Sequence, residues 1–152
     1  MENIKVKGVW NFELKRVDGS IEKWSVDNLI VNAGKAEIAN LVGNVSSPTA
    51  FTYIAVGTST TAVAAGQTAL QAEISTNGLS RAAATVSRTT TTTTNDTLTL
   101  VKAFTVTGSS TVEEIGVFNA SSSGTMLGRA LTTSKSVANG DQLTCTYNII
   151  FA

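Results

Sequence analysis

Glu113 and Glu114 are the one pair of adjacent acids in a chain of 152 residues that contains no histidine. Two converging carboxylates can divide the general acid and general base roles, and without histidine they are the main route left to proton-transfer chemistry near neutral pH. Neighbours in a strand point to opposite faces, so this pair cannot form a dyad with itself. The expectation is one exposed glutamate and one at a rim or paired with Arg129 or Arg81. The missing histidine also excludes Ser-His-Asp and Cys-His nucleophile systems and histidine-ligated zinc. Cys145 is the single cysteine. It can form no intramolecular disulfide and no thiolate pair for a metal, and its strand context predicts a small buried hydrophobe. The Gly57–Gly66 loop lacks the Gly-Lys-Ser/Thr ending of a phosphate cradle. Trp10 and Trp24 are of a type that stacks on bases or sugars, but each shares its face with aliphatic residues, which predicts core or interface packing. No catalytic residue, cofactor or metal is expected, and the chain reads as no enzyme.

Composition points to packing instead. The formal net charge is zero and only 14% of residues are charged, below the roughly 25% of ordinary domains. The lysines and arginines of the first 27 residues are cancelled by Glu2, Glu13, Asp18, Glu22 and Asp27, so no nucleic-acid footprint is expected. A polar but weakly charged surface associates readily, which makes self-assembly the first functional hint. The N-terminus lacks a signal-peptide pattern and no apolar run reaches the roughly 20 residues of a membrane span, so a soluble chain made in the cytoplasm is expected, with no membrane partner. Without secretion the glycosylation patterns at Asn44, Asn95 and Asn119 carry no information.

The elements follow from periodicity. Ile4, Val6, Gly8, Trp10, Phe12 and Leu14 alternate with polar residues, Asp18-Gly19 supplies a turn, and Ile21 to Val26 runs back, which predicts a hairpin over residues 1–27. Asn32 is placed to cap a short helix from Ala33 to about Val42, with Ile38, Leu41 and Val42 as its apolar stripe and Gly43 ending it. Phe51 to Val56 reads as a covered strand, and Thr68 to Ile74 as one helical turn placing Leu70 and Ile74 together. Val112 to Phe118, Met126 to Leu131 and Leu143 to Phe151 are further strands.

The six threonines from Thr89 to Thr94 lie between two strand patterns in a chain with a single proline, Pro48, and β-branched threonine suits a pleated surface. Ala82 to Thr94, a turn at Asn95-Asp96, and Thr97 to Thr107 are therefore expected to form one long hairpin. Its distal end carries almost no core, so it projects or lies against a neighbour. The whole reads as a single domain over 1–152, an all-β antiparallel sandwich (jelly-roll-like) with an N-terminal hairpin, open to partner contacts, and one short helix.

The order of segments also carries a resemblance. NLIVNAGKAEIANLVG (Asn28 to Gly43), FTYIAVGTSTTAVAAGQTALQAEI (Phe51 to Ile74), GLSRAAATV (Gly78 to Val86), VEEIGVFNASSSGTMLGRAL (Val112 to Leu131) and GDQLTCTYNIIF (Gly140 to Phe151) resemble the small structural proteins of tailed bacteriophages and prophages. NAGK, AVGT and EIGVFN are the most characteristic pieces. The resemblance implies a location in the virion and no catalytic residue, and by analogy a homotrimer.

Two functions follow as expectations. The first is a capsid decoration protein that binds the outer surface of the major capsid protein shell and stabilises it. The alternative is a tail or head fibre or baseplate module, with tail proteins as partners and a part in host attachment. The residues expected at the contacts are Val6, Trp10 and Trp24 of the first hairpin and Arg88, Thr91 and Thr93 of the threonine-rich one.

Overall fold

The computed structural model describes residues 3–152, and the parts of the expected hairpin and charge balance that fall on Met1 and Glu2 lie outside the described residues. The strands are β1 (Val6–Lys15), β2 (Ile21–Ile30), β3 (Tyr53–Gly57), β4 (Ala82–Ala83), β5 (Thr85–Thr89), β6 (Thr97–Thr105), β7 (Ser110–Phe118), β8 (Met126–Val137) and β9 (Gln142–Phe151), with one helix, α1 (Asn32–Gly43). They form a single antiparallel sheet in the order β4-β3-β7-β8-β2-β1-β9-β6-β5. The all-β sandwich expected from alternation, with its hairpin and its helix, is the observed architecture.

Two strands change partner and fold this sheet over a common core. β2 pairs with β1 up to Asn28 and then with β8 through Leu29 and Ile30. Ala82 and Ala83 pair with β3, and after the single residue Ala84 the chain pairs with β6 from Thr85. The two ends of the sheet are thus successive stretches of one chain segment. Between the layers lie Trp10, Phe12, Leu14, Leu100, Phe104, Ile115, Val117, Leu127, Leu143 and Tyr147, all buried. β1 sits between β2 and β9, so the N-terminal hairpin is a central part of the sheet. Asp18 and Gly19 make its turn, Gly19 at a φ of 87° that suits glycine.

Local expectations fail in four places. Asn32 is the first helical residue and not the cap. Val31 caps the helix without a side-chain bond, and the Asn32 amide is satisfied by the Ala65 carbonyl at 2.8 Å. Asn44, at a φ of 50°, takes the left-handed position assigned to Gly43. Of the expected stripe, Ile38 and Leu41 are half-buried, but Val42 is 85% exposed, and Gly34 is the residue the helix buries. Residues 68–74 form no helical turn. The Thr58 and Ile74 amides donate to Ala72 and Val56, laying this segment along the edge of β3, where Leu70 and Ile74 are still buried.

The long threonine hairpin is shorter than expected. β5 and β6 pair from Thr85↔Val101 to Thr89↔Thr97, and residues 90–96 leave the ladder. Threonine on both faces gives this stretch no apolar row to bury. The Asp96 carboxylate instead accepts the amides of Thr91, Thr92 and Thr93 at 2.7–2.8 Å and the Thr97 hydroxyl, which closes a compact loop.

Candidate functional site

The acids do not converge in a cleft. Glu113 is half-buried. Glu114 is buried and bonds the Nε of Arg129 through Oε2 at 2.7 Å, both side chains at 0% exposure. The pair also clips an excursion of the chain to the sheet, because Glu114 accepts the Gln71 and Ala72 amides while Arg129 donates to the Thr61 carbonyl and to Gln67 Oε1. Every oxygen and most nitrogens of the pair are committed, which describes a structural clip. Cys145 is buried in the core, and desolvation pushes its thiol far above the usual range. Among the described residues no group of three potential metal ligands occurs.

The surface is more informative. The inner faces of β1 and β9 continue past the end of the core. Val6 lies opposite Phe151, so both side chains extend the row that Trp10 and Tyr147 begin. Among the described residues Val6 and Phe151 stay 39% and 41% exposed, and an open mouth of about 560 Å³ lies between the start of β1, the end of β2 and helix α1. Val6, Gly8, Asn28, Leu29, Ile30 and Ile38 line it, with Lys7, Asp27 and Lys35 at its charged positions. Its floor is a fixed polar network: Trp10 Nε1 donates to Asn28 Oδ1 at 3.1 Å and Asn28 Nδ2 donates to Tyr147 Oη at 2.9 Å. Gly8 makes room for it, since a Cβ there would stand 2.5 Å from that hydroxyl.

Of the residues expected at contacts, Val6 is exposed at this mouth. Trp10 is corrected to a core residue. It has no exposed surface, its ring tilted against Tyr147 at 4.5 Å and stacked on Phe12 at 6.1 Å, because β1 is flanked on both sides. Trp24 is half-buried. It stacks on Phe12 at 5.0 Å, donates to the Thr132 hydroxyl and lies under Lys135 Nζ, filling the gap where β2 and β8 diverge. Arg88, Thr91 and Thr93 are all exposed on β5 and the adjoining loop, far along the sheet order from β2. The loop carrying Thr91 and Thr93 reaches the end of β9 at Val6's strand partner, where the Phe151 amide donates to the Asp96 carbonyl at 3.0 Å. Sequence reasoning missed Leu29, Ile30, Ile38 and Lys35, because the mouth exists only once β2 switches to β8 and the helix lies beside it.

The hairpin's other end is also apolar on its exterior. Val17 is 70% and Ile21 53% exposed, flanking Asp18, whose carboxyl the Ser20 hydroxyl and amide hold below its ordinary range.

No curated protein matches the chain. Residues 30–150 match the model of a protein family described as Podophage GP4 fiber I protein gp80. The match begins where β2 changes partner and runs through α1 to β9, so it takes in most of the chain, including the Glu114–Arg129 clip and the outer lip of the mouth. That span bears out the resemblance carried by NAGK, AVGT and EIGVFN: the chain belongs to this phage fibre-protein family and is a structural protein of the virion.

Proposed function

We propose that the chain is a subunit of a phage fibre, working by packing against other virion proteins and carrying out no reaction. The fibre description of the matched family is the observation that carries this reading. Exposed apolar ends on a stiff sheet support it, since such patches mark protein contacts. Architecture and the resemblance to phage structural proteins lead to capsid decoration as the first expectation and a fibre or baseplate module as the second, and the family's fibre description supports the second. The trimer expected by analogy and attachment to tail or head proteins belong to the same proposal.

Antibody labelling of intact particles in the electron microscope tests it. Label on slender appendages, at a few to a few dozen copies per particle, is the expected result. Label spread over the shell at hundreds of copies would instead identify a decoration protein on the major capsid protein.

A further inference from the structure

We propose that the tip of the β1–β2 hairpin in one copy of this chain seats in the open mouth of a second copy, so that copies join head to tail. Among the described residues, six of the nine exposed large apolar side chains lie toward the two ends of this one hairpin: Ile4, Val6, Leu29 and Phe151 toward its open end, of which Val6 and Leu29 line the mouth, and Val17 and Ile21 at the tip. The mouth is concave and the tip is a narrow turn with one aliphatic side chain on each side. A space of about 560 Å³ lies within the roughly 300–1,000 Å³ of pockets that hold small molecules, which is ample for two aliphatic side chains.

Charge selects the partner. Lys35 lines the mouth and Asp18 crowns the tip, and neither has an opposite charge within ion-pair distance among the described residues, whereas Lys7 is matched to Asp27 at 3.6 Å. Tip against tip would set Asp18 facing Asp18, and mouth against mouth Lys35 facing Lys35. Only tip into mouth pairs unlike charges. The two patches lie at opposite ends of a ten-residue strand, about 30 Å apart at the usual rise, so the contact is heterologous and propagates along a line or closes a ring. The inference stands on this surface chemistry and not on where in the virion the chain sits.

The test uses the purified full chain. Its mass in sedimentation is expected to rise with concentration, and Ile21→Asp, Val17→Asp or Leu29→Lys, all at exposed positions, is expected to return it to that of the smallest unit. Contact polarity is read with Ser20→Cys and Ala36→Cys, which leave Asp18 and Lys35 in place, and a short bismaleimide, to which buried Cys145 is silent. The double variant is expected to give a ladder, a mixture of the two single variants to stop at cross-linked dimers, and either single variant alone to give none. A concentration-independent mass, a rising mass without the ladder, or Ser20→Cys dimerising alone as well as in the mixture each overturns the proposal.

Discussion

Glu114 Oε2 lies 2.7 Å from Arg129 Nε with both side chains fully enclosed, and each partner also holds backbone groups of the 61–72 segment. Burying two charges costs much of what their attraction returns, so the pair adds little over an apolar replacement, but removing one partner strands the other. Glu114→Gln is therefore expected to cost about 3–5 kcal/mol in denaturant unfolding. Replacing both, as Glu114→Gln with Arg129→Met, should cost less than the single change. A single variant as stable as the parent would remove the clip from the account.

Gly8 interrupts an apolar row because Tyr147 Oη occupies the space its side chain would need, 2.5 Å from an added Cβ. Gly8→Ala is expected to destabilise by about 1–3 kcal/mol, the usual cost of overpacking. Removing the hydroxyl relieves the clash, so the same change in a Tyr147→Phe background should cost less. A double-mutant cycle measures this coupling directly, and additive effects would contradict it.

Much of this arrangement is legible in alternation, which assigns faces correctly from Val6 to Leu14 and from Leu143 to Ile149. What it cannot give is how far a face is covered. Trp10 and Trp24 both point inward, yet Trp10 is enclosed and Trp24 is not, because β1 has two full neighbours whereas β2 meets β8 only at Leu29 and Ile30. The mouth was illegible for the same reason: it is the product of a partner switch. Alternation leaves open which of Glu113 and Glu114 is enclosed and whether it sits at a rim or meets Arg129 or Arg81, and register decides for Glu114 and Arg129. Arg81 instead binds Glu73 and lies 3.6 Å over the Phe118 ring. The threonine run misled because propensity favours a strand while a single carboxylate with several donors at hand favours a loop.

Asp96 is where pH should act on that loop. The amides of Thr91, Thr93 and Thr92 and the Thr97 hydroxyl, the first of these contributing most, hold its carboxyl well below the usual range. A carboxylate depressed in the folded state adds stability that is complete above its unfolded value, 3.8 here, and is lost as pH falls through the lower folded value. Hydrogen exchange at Thr91, Thr92 and Thr93 is expected to be slow in the parent and fast in Asp96→Ala at neutral pH. The gap should narrow only in acid well below 3.8. Equal protection in the two proteins at neutral pH would show that the carboxylate does not hold the loop.

Gly34 sets two effects against each other within α1. Alanine is favoured over glycine inside a helix by about 1 kcal/mol, so propensity alone predicts that Gly34→Ala stabilises. The position is buried against β8, however, and an added Cβ would stand 2.1 Å from the Leu127 carbonyl oxygen, a backbone atom that cannot swing aside. The helix would have to lift from the sheet, taking with it Ile38 and the wall of the mouth. The steric loss wins, and Gly34→Ala is expected to lower the unfolding midpoint clearly. Gly43→Ala serves as the control, because its Cβ would meet only Val45 Cγ2 at 3.1 Å on an exposed, movable side chain. That variant should be near neutral or slightly more stable. If the two alanine variants behave alike in thermal unfolding, close packing of α1 on β8 is not what requires glycine at position 34.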